Sequence, residues 1–466
     1  MIGSMPQHGN RIRRYCALVL FLSLASLSAA SVRLGQMFDD PNSSERILSD
    51  REFLRPLMPY EQEAARQLKV SLVTMGKGDP LYVWFGHSGI AISDTKGERS
   101  VLYDYGIFSF DDDFYQTFAI GRLNYEVWAT ATAARIALAT EENRDIYELV
   151  LNLPDSAKLE VLSVLNYNVQ QEHQTYLYHH YRENCSTRIR DIIDKAVGGQ
   201  LHAWASTIPM EESIRQLVGR HTYASPFVDW TLNFLQSGTI DKPITLWEAM
   251  FLPALLEDAL RQFSYVDEYG QRVPIAGERI VHHVATEGAR APVLDSWHPM
   301  TLQGMCFALA VGLLCILLGR FQGAPYMTAL RRVFRFLYGI VNFIWTLSAS
   351  VLSILLIFMM TGSNHDVTYF NENILIVNPL VLVLAVLALA SAFGNARALR
   401  GFRKMNTAMT FVIIAVILLK LVFIDLMIQQ NWQIILTMLP LHLCNSTIPF
   451  ERILVRKRRV IDDSDF

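Results

Sequence analysis

The chain has 466 residues, 51% of them hydrophobic and only 18% charged, and its mean hydropathy of +0.22 places part of it in lipid while excluding disorder for the bulk. A formal charge of -3 offers no global basic excess for a nucleic-acid backbone, and 25 glycines and 17 prolines exclude a fibrous or low-complexity chain. Among Cys16, Cys185, Cys306, Cys315 and Cys444, only Cys185 lies in the long polar stretch, so neither an intradomain disulfide nor a cysteine-rich metal cluster is open to that stretch.

Arg11, Arg13 and Arg14 precede an apolar run at 16–27, and the small residues Ser28, Ala29 and Ala30 follow. That run is about 12 residues where a bilayer crossing needs about 20, so residues 1–30 read as an export signal cleaved after Ala30. An uncleaved N-terminal anchor is the alternative. Residues 31–298 then form an outer domain of ordinary polarity. Its preface at 43–73 reads as largely helical, interrupted at Pro56 and Pro59. A Gly-Lys-Gly-Asp-Pro turn at 76–80 introduces a predicted strand at 81–92, and a second is predicted at 100–105. Helices are predicted around 129–140, 143–151, 156–167 and 172–180. The pattern is α+β with modest sheet content, long enough to bury its own core.

Alternation along the first strand puts Leu81, Val83, Phe85, His87, Gly89 and Ala91 on one face, and Ser88 and Gly89 leave room beside the His87 ring. Further on, Ile189, Ile192, Ile193, Ala196 and Val197 draw one helical stripe that Gly198 and Gly199 stop. Asn184 is suited to cap that helix, which places Cys185 in the first turn, where the macrodipole and unsatisfied N–H groups favour a thiolate. The base that takes its proton is His87, or alternatively His179 or His180. Arg188 and Arg190 add positive potential, which either holds an acidic lipid headgroup or pairs with Asp191. The competing reading makes Cys185 a small buried hydrophobe with capping neighbours. Adjacent His179 and His180 are a weak metal signal, and no glycine-rich phosphate loop is present, so neither a metal nor a nucleotide cofactor is expected.

Five apolar stretches follow at 302–318, 336–360, 374–393, 407–428 and 432–450, giving an all-α membrane domain over 299–450 and a basic tail at 451–466. Arg320, Arg331, Arg332 and Arg335 fill the first connection, Arg397, Arg400, Arg403 and Lys404 the third, and Arg452, Arg456, Lys457, Arg458 and Arg459 the tail. Residues 361–373 and 429–431 carry no Lys or Arg. This alternation puts the outer domain on the extracytoplasmic side and the C-terminus inside. Within the spans Lys420 is costly unless it snorkels, pairs with Asp425, or contacts a lipid phosphate or peptide carboxyl group.

The strings Val83-Trp84-Phe85-Gly86-His87-Ser88, Tyr103-Asp104-Tyr105-Gly106-Ile107-Phe108-Ser109-Phe110, Gly121-Arg122-Leu123-Asn124-Tyr125 and residues 181–191 resemble the bacterial family typified by the Lnb lipoprotein N-acyltransferase. The resemblance covers about residues 60–255, and residues 361–380, with His365, Asn371, Asn378 and Pro379, look like that family's membrane portion. It implies a circularly permuted papain-like thiol fold in which the histidine strand precedes the cysteine helix. His87 matches the histidine motif and Cys185 the cysteine motif. The third polar member is Asp104 or the hydroxyl of Tyr105, with Asp104 ranked first. Ser186 and the Cys185 N–H are candidate oxyanion contributors, and Asn184, Ser186, Arg188, Arg190, His365 and Lys420 are candidate substrate contacts. The implied reaction moves the sn-2 acyl chain of a diacylglyceryl lipoprotein to that protein's N-terminal amine through a cysteine thioester. Expected partners are therefore diacylglyceryl-modified lipoproteins or phospholipid, and the bilayer itself. A lipid thiol-hydrolase, a peptidoglycan amidase or peptidase, and a nonenzymatic transport or sensing protein are the competing classes.

Overall fold

The computed structural model describes residues 40–96, 98–110, 113–223, 225–286, 299–321 and 328–447; the expected export signal and basic tail lie outside the described residues. The chain divides into two units, a sheet unit of Gln36–Ser225 with Lys242–Asp295, and a helical unit that includes Pro226–Asp241 and Ser296–Phe466. Polarity alone assigned 226–241 to the outer domain. Its helix Pro226–Leu235 carries Trp230, Phe234 and Leu235, and these pack into the helical core.

The sheet unit is built on β1 (Leu68–Met75), β2 (His87–Asp94), β3 (Ser100–Ile107), β4 (Asn124–Ala131), β5 (Ile146–Leu151) and β6 (Thr175–Leu177). A small hairpin joins β7 (Ser264–Val266) to β8 (Arg272–Pro274), and β9 (Ala276–His283) completes the main sheet. That sheet is seven-stranded, in the order β6-β4-β3-β2-β1-β5-β9, with antiparallel neighbours throughout. On one face Leu72, Ile90, Tyr103, Tyr105 and Leu149 pack against helices Asp155–Asn168, Cys185–Ala196 and Pro253–Gln262. On the other, Val73, Met75, Ala91 and Leu102 meet Ile136 and Ala139 of helix Thr132–Glu141.

Covering both faces explains where the predicted elements fail. β1 is buried along nearly its whole length, so Leu68–Met75 lacks the alternation of a half-buried strand and reads as an extension of the helical preface. Helix Pro59–Arg66 in fact ends before it. Residues Leu81–Val83 form a 3-10 turn, and Gly86, at φ +79°, reverses the chain so that β2 starts at His87. The face drawn through Leu81, Val83 and Phe85 therefore does not exist. β5 and β6 replace the helices predicted at 143–151 and 172–180, and β4 takes the start of the one predicted at 129–140. Helix Asp155–Asn168 forms as expected.

The helical unit contains Pro299–Phe321, Thr328–Thr361, Leu380–Ala392, Ala396–Val422 and Trp432–Cys444. Among the described residues, Leu330–Thr361 and Ala396–Val422 are long and apolar enough to cross a membrane. The pair Asp366–Leu375 and Leu380–Ala392, bent by 45°, makes a third if it is one span, and Leu302–Leu314 and Trp432–Cys444 are shorter apolar helices. Length and composition thus qualify two or three of the five expected spans.

Candidate active site

β2 and β3 bring the first two side chains together. Gly89 pairs with Asp104 across these strands, so His87, two residues before Gly89, shares the Asp104 face and meets it diagonally. His87 Nε2 hydrogen-bonds to Asp104 Oδ1, and Asp104 Oδ2 accepts from Arg135 Nε at 2.8 Å. Arg135 comes from the Ala-rich helix Thr132–Glu141. Asp104 is buried, and its two oxygens hold the imidazole on one side and a guanidinium on the other.

The cysteine helix is set by its cap. Asn184 Oδ1 accepts from the N–H groups of Ser186 and Thr187 at 2.9 Å each, and Thr187 Oγ1 accepts from the Asn184 N–H at 2.9 Å. Asn184 Nδ2 donates to the carbonyls of His180 and Phe251, both at 2.8 Å, which ties the helix start to two neighbouring segments. Cys185 is thereby the first helical residue, 8% exposed, with its own N–H outside the cap. Its thiol interacts with the His87 ring and with the Ser88 N–H, and both favour its ionised form. Since Nε2 is engaged by Asp104, Nδ1 is the ring nitrogen left to exchange a proton with the thiol.

These contacts shift the ionisation of all three groups. Burial opposes a charged imidazole, but the Asp104 carboxylate and Cys185 outweigh it and raise His87 to about 9. For Cys185, burial opposes ionisation, whereas the His87 ring and then the Ser88 N–H together hold the thiol below its ordinary value. Asp104 is lowered against its own burial by His87 and then by Arg135. Both shifts favour a thiolate beside an imidazolium, a pair that combines a nucleophile with a proton donor.

Gly106 makes room beside it. β3 has a register shift between Tyr105 and Ile107, and Gly106 sits there at φ +87°. A β-carbon at this position would lie 3.9 Å from Cys185 Cβ, 3.9 Å from the Tyr176 hydroxyl and 3.7 Å from Tyr178 Cε2. Tyr178 stacks on Tyr125 at 4.2 Å, Tyr125 on Phe108 at 4.9 Å, and Phe108 contacts the exposed Phe110 at 5.2 Å.

Other sequence expectations fare differently. Tyr105 does not orient His87, because strand alternation sends it to the opposite face, where its hydroxyl accepts from Asn168 Nδ2 at 2.7 Å. Ser186 is fully buried and its Oγ donates to the Met250 carbonyl at 2.8 Å, so it has no hydroxyl proton left for an oxyanion. Arg188 donates to Glu183 at 3.0 Å and to the Asn42 carbonyl at 2.9 Å, and Arg190 grips Asp191 and the Trp247 carbonyl. Both arginines, like Asn184, are occupied in holding the unit together. His180 lies edge-on to Phe85 at 4.5 Å, and burial lowers it to about 3; His179 accepts from the Tyr181 N–H at 3.2 Å. Neither takes the place of His87 beside the thiol. In the helical unit, His365 precedes the 3-10 turn Asp366–Thr368, and Lys420 donates to Glu372, Met427 O and Gln429 O instead of pairing with Asp425. Arg135 and Tyr176 went unnoticed in the sequence, and Gly106 entered only as part of a motif string. Arg135 carried a signal, as the one basic residue of an Ala-rich helix.

Residues 58–220 match the family model of the Lnb N-terminal periplasmic domain, the family that the motif strings resemble, and the match encloses His87, Asp104 and Cys185. The chain thus joins a stretch similar to a periplasmic domain to helices long and apolar enough to cross a membrane. No curated relative and no solved structure matches the chain.

Proposed function

We propose that this chain is a cysteine-dependent lipoprotein acyltransferase that moves an sn-2 acyl chain of a diacylglyceryl lipoprotein to the same protein's N-terminal amine. The observation that carries this reading is the Cys185–His87–Asp104 relay within an Lnb periplasmic domain. The Cys185 thiolate attacks the ester carbonyl, forming the C–S bond while the carbonyl π pair moves to oxygen. On collapse the C–O bond to glycerol breaks, and His87 gives its proton to the departing oxygen. The acyl group then rests on sulfur as a thioester. Attack by the neutral N-terminal amine forms the amide and returns the electron pair to sulfur, and His87 takes the proton that the amine loses. No metal or nucleotide enters this sequence of bonds.

The substrate side rests on general chemistry. The aromatic stack from Tyr178 through Tyr125 and Phe108 to exposed Phe110 offers apolar surface for an acyl chain. Apolar helices in the same chain keep the thiol near esters held at a bilayer, which lowers the orientational cost of meeting them. The histidine strand preceding the cysteine helix supports a circularly permuted papain-like arrangement. Exclusion of water while the thioester stands separates transferase from lipase.

Full-length protein in detergent, mixed with a synthetic diacylglyceryl lipopeptide labelled on its sn-2 chain, should convert the labelled ester to an N-terminal amide detectable by tandem mass spectrometry. Cys185→Ser must fail in the same assay. Release of free fatty acid alone reduces the reading to a lipase, and cleavage of muropeptides with both esters intact replaces it with an amidase.

A further inference from the structure

We propose that the Tyr176 hydroxyl is the side-chain donor of an oxyanion hole beside Cys185, a role that rests on the acyl-transfer reading above. Tyr176 lies on β6, opposite Tyr125 of β4, and is 1% exposed. Its hydroxyl has no hydrogen-bond partner among the described residues. A buried hydroxyl left this way is costly unless something that comes and goes completes it.

What completes it is indicated by position. The hydroxyl and Cys185 Cβ each lie 3.9 Å from the point that a Gly106 β-carbon would occupy, so phenol and nucleophile border the same small hollow. The absent side chain of Gly106 is what keeps that hollow open. When the Cys185 thiolate adds to a carbonyl, the carbonyl oxygen becomes an alkoxide next to the new C–S bond. Its donors must already be in place. The Cys185 N–H, outside the Asn184 cap, is one; the Tyr176 O–H is the other.

The ring is held for this task. Arg188 Cζ lies 4.0 Å from the ring centroid, and the guanidinium is itself fixed by Glu183 and the Asn42 carbonyl. A cation over the ring makes the phenol a stronger donor. Burial raises the Tyr176 hydroxyl well above its ordinary value against the opposing charge of Arg188, so it stays protonated at neutral pH. Arg188 thus acts as a positioning residue through Tyr176.

Tyr176→Phe removes only the oxygen. Two probes on the full-length protein in detergent distinguish its effects: a p-nitrophenyl acyl ester, whose attack develops an oxyanion, and iodoacetamide, whose attack does not. Acylation of Cys185, read by mass spectrometry, should slow by about 10²–10³-fold in Y176F while alkylation stays within about twofold of wild type. The wild type should also prefer the oxo ester to its thionoester, whose sulfur accepts hydrogen bonds poorly, and Y176F should narrow that preference. If the wild type is alkylated at Cys185 but never acylated, the acyl-transfer reading falls and takes this assignment with it. If the wild type is acylated and Y176F equally fast, only the Tyr176 assignment is overturned. An equal loss of alkylation and acylation also overturns it, because the tyrosine then supports the thiol rather than the alkoxide.

Discussion

Asp104 divides its carboxylate between His87 Nε2 and Arg135 Nε, the latter at 2.8 Å, so the group that orients the imidazole is itself anchored to the helix beneath the sheet. A buried carboxylate with one partner on each oxygen cannot swing away from the ring. Its charge is also what keeps His87 protonated next to Cys185.

Asp104→Asn keeps the shape and removes that charge. The imidazole then loses its main support against burial and falls toward or below its ordinary range, and the thiol rises because its cationic neighbour is gone. Acyl transfer should drop by about 10²–10⁴-fold, and iodoacetamide alkylation at pH 7 should slow with it. An unchanged alkylation rate would remove Asp104 from the relay. Arg135→Met should give a smaller loss of the same kind, since Asp104 keeps its contact with His87.

The pH profile follows from the two shifts. Acidifying through the lowered Cys185 range protonates the nucleophile and stops attack. Raising pH through about 9 deprotonates His87, so the leaving glycerol oxygen finds no acid. The acid limb should therefore lie below that of an ordinary thiol and the alkaline limb near 9. Stopped-flow acylation across this span checks both limbs; an alkaline limb near the ordinary histidine range would show that the pair is not ionised as described.

Asn184 is a cap before it is anything else. Asn184→Ala exposes the first-turn amides of Ser186 and Thr187 and leaves the His180 and Phe251 carbonyls without their donor. The expected cost is about 2–4 kcal/mol of stability, the cap contributing about 1 and the buried carbonyls the rest. Thermal melting measures it. A melting curve like wild type with abolished turnover would instead return Asn184 to substrate contact.

What was legible in the sequence was local. Asn184, the stripe through Ile189, Ile192 and Ile193, and the Gly198–Gly199 stop define a helix by short-range rules alone, so Cys185 was placed at its start. The pairing with His87 needs β2 and β3 to align and the helix to dock, which depends on contacts nearly a hundred residues apart in sequence, and motif resemblance supplied what periodicity did not. β1 was lost because burial on both faces erases alternation, and β5 and β6 because short strands look like fragments of neighbouring helices. For Arg188 and Arg190 the sequence leaves a lipid headgroup and a pairing with Asp191 both open, because it cannot show that Glu183, Asp191 and backbone carbonyls already take their donors.

Lys420 teaches the same lesson inside the helical unit, where it yields the last prediction. Its ammonium is shared among Glu372, Met427 O and Gln429 O, and the second Glu372 oxygen accepts from the Gln429 N–H at 3.0 Å. The side chains of Lys420 and Glu372 are 5% and 12% exposed, so each charge depends on the other for its solvation. Removing one partner leaves an uncompensated charge in a nearly dry site, whereas removing both leaves none. Lys420→Met and Glu372→Leu should each destabilise the unit by about 3–5 kcal/mol, and the double substitution should recover most of that loss. Accumulation in the membrane and thermal melting in detergent read the three variants side by side. Should K420M melt like wild type and raise only the KM for lipopeptide, Lys420 belongs to substrate binding and not to the internal ion pair.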